Sequence, residues 1–143
     1  MTMHNMNTLN NNEEKKARIA KERELVLSKA QNSLSTIFYF NLEETYKRER
    51  TIRTLQRGAK LELDNRRDEI IVKYGLHIIG KVPKDFVQEI SESLMRSHSY
   101  QVTVLNILGR DGMDYQTTTV IDNNEEKILK HLGVEILIEF PMA

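Results

Sequence analysis

The chain has 143 residues, with 29% charged and 39% hydrophobic side chains and a formal net charge of zero. That is enough for one domain with a core, and too balanced for a strongly basic nucleic-acid binder. It contains no cysteine, which excludes disulfides, thiolate metal sites and a cysteine nucleophile. No apolar run reaches the roughly 18–20 residues of a membrane span. The opening MTMHNMNTLNNN lacks the basic end and apolar centre of a signal peptide, so a cytoplasmic location is expected.

The neutral total hides an asymmetry. Residues 1–74 carry 15 Lys/Arg against 11 Asp/Glu, whereas residues 75–143 carry 6 against 10. Opposite signs in the two halves would let them pack on each other or associate between chains.

In chain order, residues 1–12 are Asn-rich and expected to be a flexible tail. Residues 13–74 contain no proline and one glycine, Gly58. Ile19, Val26, Leu27, Ala30, Leu34, Ile37 and Phe38 share an arc at 3.6 residues per turn, which predicts a helix over 13–38. Asn41 followed by Glu44 has the form of a capping box, which starts a second helix at Leu42 unless one helix runs unbroken through Asn41. Ile52, Leu55, Ala59, Leu63 and Ile70 then form a narrow apolar seam running to Tyr74. Glu44–Arg48, Glu49–Arg53, Glu62–Arg66 and Glu69–Lys73 stand at i,i+4 in the favourable orientation. A helical hairpin or coiled-coil arm follows, its seam calling for a partner. Gly75 is its left-handed stop.

Residues 75–143 change rhythm. Leu76–Val82 reads as a strand, Pro83 opens a helix with Phe86, Val87, Ile90 and Leu94 on its buried face, and Tyr100–Leu108 is a strand. Asp111-Gly112 is a hairpin signal, which makes Asp114–Ile121 the return strand and pairs Val102 with Ile121 and Val104 with Thr119. Asn123 with Glu126 reads as the cap of a short helix carrying Ile128, Leu129 and Leu132, and Val134–Phe140 is a last strand. The order βαββαβ gives a ferredoxin-like module, and the whole chain an α+β class: long N-terminal helices followed by that module. One sheet face, with His77, Ile79, Leu105, Ile107, Val120 and Leu137, is too apolar to meet water, so the N-terminal arm or another subunit should cover it. It lacks the paired aromatics of RNA-binding sheets.

Chemistry is sparse. His4, His77, His98 and His131 are scattered, without metal-ligand spacing or a nucleophile motif. Glu135 and Glu139 share one face of what reads as an edge strand, where carboxylates discourage aggregation. No catalytic residue, cofactor or metal is expected. From Lys47 to Arg67 there are eight Lys/Arg against three Asp/Glu, with Arg50, Arg53, Arg57 and Lys60 on one helical stripe. The leading expectation is a non-enzymatic interaction protein (a regulator, adaptor, inhibitor or assembly component) that binds a protein partner or itself as a homo-oligomer through the seam. The alternative is a nucleic-acid-binding regulator that tracks phosphates with the basic stripe.

Overall fold

The structure is a computed structural model that describes the backbone of residues 3–97, 99–110 and 113–142, with side chains from Glu13 onward. It is dominated by antiparallel strands, not by helices. A helix, α1 (Met3–Gln31), leads into β1 (Ser35–Asn41), a 3-10 turn at Thr45–Arg48 and one turn of helix, α2 (Glu49–Ile52). Next come β2 (Lys60–Arg66), β3 (Glu69–Tyr74), β4 (His77–Lys81), the helix α3 (Lys84–Arg96), β5 (Gln101–Leu108), β6 (Gln116–Asp122), β7 (Glu125–His131) and β8 (Gly133–Pro141).

Six strands form one sheet in the order β1-β8-β5-β2-β3-β4, and β6 and β7 form a separate ribbon. The sheet curls. β2 pairs with β5 only at Lys60 and Leu61, and with β3 from Glu62 to Arg66, so it passes from one half of the sheet to the other. Where β5 leaves, the Tyr100 hydroxyl takes the Leu63 N–H at 3.0 Å. The stretch after β1 then closes the ring: Leu42 N–H bonds Val134 of β8, and Glu43 exchanges two backbone bonds with Lys81 of β4 at 2.9 and 3.0 Å. Gly80 permits this approach, because a Cβ there would lie 2.9 Å from the Glu43 carbonyl oxygen.

The interior gathers Leu42, Leu61, Ile70, Val72, Ile79, Val102, Val104, Ile136, Ile138 and Phe140, with Ile52 and Leu55 at one end and Ile90 of α3 closing another side. On β8, Val134, Ile136, Ile138 and Phe140 enter this core. Leu137 instead meets Leu27 and Ala30 of α1, together with Leu105 and Ile37. A bulge between Val104 and Asn106 places Leu105 and Asn106 together on the α1 side, re-aiming two consecutive side chains as bulges do. There Arg23 grips Glu135 with Nε and Nη2 at 2.7 and 2.8 Å, and Asn106 donates to the same carboxylate at 3.1 Å.

Several expectations are overturned. There is no coiled-coil or hairpin arm over 13–74 and no ferredoxin-like module. The predicted first helix ends at Gln31, and Ser35–Asn41 is a strand, as its aromatic and β-branched run STIFYFN favours. The predicted second helix is two strands plus one helical turn; β3 carries the consecutive Ile70, Ile71 and Val72, which suit a buried strand. Gly75 is left-handed, with φ +61°, but it sits in the two-residue loop between β3 and β4, where Tyr74 opposes His77. Asp111 and Gly112 lie outside the described residues, and the strands around them find other partners: Val102 opposes Ile138, and Val104 opposes Ile136. The predicted helix after Asn123 is strand β7. Asn123 and Asn124 both take positive φ, 52° and 65°, which is the requirement of a type I′ hairpin loop. β8 is an interior strand, so Glu135 serves an ion pair instead of guarding an edge. α3 and β5 lie close to the bounds read from sequence. The single apolar face expected to be covered by the N-terminal arm or another subunit does not exist as one face: Leu105 and Leu137 lie under α1, Ile79 and Ile107 enter the main core, His77 is exposed and Val120 lies on the ribbon.

Candidate interaction surface

The seam residues do come together, but inside the molecule. Ile52, Leu55 and Ile70 are fully buried, and Ala59 and Leu63 pack against the same core. Ile52, Leu55 and Ile70 are wholly spent on the fold, and Ala59 and Leu63 stay half-buried beside them.

The basic residues do not form a helical stripe. Arg50 and Arg53 lie on and just beyond α2, Arg57 in the following loop and Lys60 on β2. Arg57 bonds Glu22 of α1 at 2.6 Å, Lys60 donates to Thr103 at 2.9 Å, and Arg53 lies 3.7 Å from Glu49. Arg48 and Arg50 are exposed and make no ion pair among the described residues. Arg110, which sequence patterning did not single out, donates to the carbonyls of Ile52, Arg53 and Leu55 at 3.3, 3.2 and 2.6 Å. It caps the end of α2, where a cation is favoured.

What the surface offers instead is the β6–β7 ribbon. Its register opposes Gln116 to His131, Thr118 to Leu129, Thr119 to Ile128 and Ile121 to Glu126. Alternation divides the side chains into two faces. Gln116, Thr118, Val120, Leu129 and His131 face the body and are buried or half-buried; Thr117, Thr119, Ile121, Glu126, Ile128 and Lys130 face outward and are exposed. Ile121 and Ile128, diagonal neighbours on the outward face, are 76% and 74% exposed.

The base of the ribbon is tied down by polar contacts. His131 is 2% exposed. Its Nδ1 lies 2.8 Å from the Leu132 carbonyl and 3.3 Å from the Thr45 hydroxyl, and its Nε2 lies 2.7 Å from the Thr118 hydroxyl. A carbonyl only accepts, so Nδ1 carries the proton and the Thr118 hydroxyl donates to Nε2 in the neutral ring. Tyr46 sets its ring edge-on to His131 at 5.7 Å. Glu49 accepts the Leu132 N–H at 3.1 Å, and the Gln116 amide donates to the Leu42 carbonyl at 2.9 Å. The ribbon is thus anchored to the ring-closing segment and α2, with the residues of its tip exposed.

Among the remaining histidines, His77 is exposed at the start of β4, His98 lies outside the described residues, and the side chain of His4 does too. Among the described residues, no group of three His, Asp or Glu side chains could hold a metal ion, and no helix is long and apolar enough to cross a membrane. The signal for the ribbon is visible in the sequence as two β-favouring runs around Asn123-Asn124; the burial of His131 carries no such signal. The fold and surface define a small, ring-closed antiparallel β module with a packed N-terminal helix and a projecting ribbon. No family model matches the chain, and neither does any curated protein or solved structure.

Proposed function

We propose that this chain is a non-enzymatic protein-interaction module that presents the outward face of the β6–β7 ribbon to a protein partner. The observation that carries the reading is the diagonal juxtaposition of Ile121 and Ile128 on one face, both about three-quarters exposed, on an element anchored at its base. A two-stranded ribbon is marginal by itself. Here buried polar contacts stabilise its inner face while two large aliphatic side chains stay in water, a combination that favours docking over solvation. Thr117, Thr119, Glu126 and Lys130 supply a polar surround on the same face, the pattern of a small interface with an apolar centre and polar rim.

The test is a photo-crosslinking amino acid at position 121 or 128, with exposed Glu62 as a control position. A discrete adduct is expected from the first two. Excess wild-type chain should compete it away, whereas an Ile121→Asp/Ile128→Asp chain should not. No competable adduct at either position would overturn the reading.

A second reading, contact with nucleic acid, is favoured by one observation: the exposed Arg48 and Arg50 have no carboxylate partner among the described residues. Its test is a titration of labelled duplex DNA and single-stranded RNA at about 50 and about 200 mM salt, where phosphate contacts weaken steeply. Affinity unchanged by Arg48→Glu/Arg50→Glu would remove it.

A further inference from the structure

Strand β1 lies at one margin of the six-stranded sheet, with β8 on its inner side. Leu42 N–H bonds Val134 and Met142 N–H bonds the Leu34 carbonyl. Since partners alternate along an antiparallel ladder, Thr36, Phe38 and Phe40 also spend their backbone groups on β8. Ser35, Ile37, Tyr39 and Asn41 therefore direct theirs to the outer edge. Glu43, next in that alternate set, is satisfied by Lys81. The four before it make no outward hydrogen bond among the described residues.

Natural edge strands carry charges, prolines or bulges that block pairing with another chain. The ribbon edges carry Asp122, Glu125, Glu126, Lys127 and Lys130, and β4 is met by Glu43. β1, with the sequence STIFYFN, has no charge, no proline and no glycine across its seven residues.

We infer that the open edge of β1 is the interface between two copies of this chain, joined antiparallel about a two-fold axis near Ile37. Three features favour a second copy as the occupant. An uncharged strand meets itself with no like charges opposed. The bridge at Glu43–Lys81 closes one end of the edge, so the shared segment is Ser35–Tyr39, and an axis at Ile37 leaves both closed ends outside it. That register also sets small against large: Ser35 opposite the partner's Tyr39, and Thr36 opposite the partner's Phe38. Tyr39, 42% exposed, and Leu34, 84% exposed, would then be covered. A two-fold contact of this kind is self-complementary and closes. It uses a different surface from the ribbon, so either proposal can fail alone.

The experiment is the solution mass of the full chain by light scattering, with amide exchange as the second readout. Wild type should have a mass near twice the 16.7 kDa of one chain, with the Ile37 and Tyr39 amides slowed as concentration rises. Tyr39→Pro removes an outward N–H that β8 does not use, and Tyr39→Lys keeps the N–H but adds a charge to the edge. Both should be monomers with wild-type circular dichroism. A wild type that stays monomeric up to about 100 μM would overturn the inference, because mass action favours any dimer as concentration rises. A dimer indifferent to both substitutions would overturn it as well.

Discussion

Removing the Arg23 guanidinium tests how α1 is held on the sheet. Arg23→Ala deletes two hydrogen bonds, of 2.7 and 2.8 Å, to the Glu135 carboxylate. The two side chains are 25% and 13% exposed, so the pair lies between surface and interior. Exposed pairs are worth about 0.2–1 kcal/mol, and losing one partner of a buried pair costs about 3–5 kcal/mol. The geometry places Arg23→Ala at about 2 kcal/mol, because the abandoned carboxylate keeps Asn106 and some solvent. The hydrogen bond to Glu135 raises the Arg23 pKa above its ordinary value. Stability from a raised group is fully present below its unfolded value and lost only as pH rises through the folded one, so this contribution is flat through neutral pH. Urea unfolding of Arg23→Ala, Glu135→Ala and the double variant measures the coupling, with the midpoint falling at constant slope. A coupling of about 1–2 kcal/mol is expected. Single variants within about 0.5 kcal/mol of wild type would refute the reasoning, since that is the scatter of an ordinary surface change.

Two glycines separate backbone cost from steric cost. Gly75→Ala places a Cβ in open space at φ +61°, so it should cost about 1 kcal/mol from conformation alone. Gly80→Ala drives its Cβ to 2.9 Å from the Glu43 carbonyl and 3.1 Å from Leu42 Cβ, and should cost more, about 2–3 kcal/mol, by forcing the ring seam apart; thermal unfolding in the reverse order would contradict the seam. His131→Ala strips Thr118, Thr45 and the Leu132 carbonyl of a partner. It should cost about 2–3 kcal/mol and speed amide exchange in β6 and β7 before that in β8; uniform loosening of all strands would contradict the anchoring role. The hydrogen bond from Arg66, then the charges of Arg66 and Lys73, hold the Asp64 carboxyl below its ordinary 3.8. A depressed carboxyl stabilises above its unfolded pKa and loses this as pH falls through the folded value. Asp64→Asn should therefore flatten a small acid-limb loss below about pH 4, seen as a smaller midpoint shift in acid urea titrations.

The second half of the chain was legible where local signals and tertiary packing agree. Ile90 with Phe86, Val87 and Leu94 is a helical face behind Pro83, and the structure uses it as one. The segment 42–74 misled because its signals conflict. Glu49 and Arg53 stand at i,i+4 and do meet at 3.7 Å across the single turn of α2 and its cap, yet Lys73 turns from Glu69 to Asp64, 3.5 Å away. The β2–β3 loop, Arg67-Asp68, contains neither glycine, asparagine nor proline, so the lone aspartate is a weak signal of the reversal. Ile70, Ile71 and Val72 were the better guide, since three consecutive β-branched residues fit a strand buried on both faces. Asn123-Asn124 followed by Glu126 satisfies both a cap pattern and a hairpin pattern. The threonines before it and the branched Ile128 after it decide for the strand. The seam was read correctly as apolar and wrongly as a surface, because periodicity reports which residues are buried and not against what.

The surfaces were less legible than the core. Exposure of Ile121 and Ile128 depends on the ribbon leaving the sheet, and the open edge of β1 depends on strand order. Both are set by pairings far apart in sequence, such as Asn41 with Glu135, and no local pattern encodes them.

The measurement that bears most directly on the interaction reading is the cross-link from position 121, formed with and without competing chain. A discrete adduct that wild-type chain displaces and the Ile121→Asp/Ile128→Asp chain leaves intact is the expected result. An adduct that both chains displace equally would contradict the account, as would none above that from position 62.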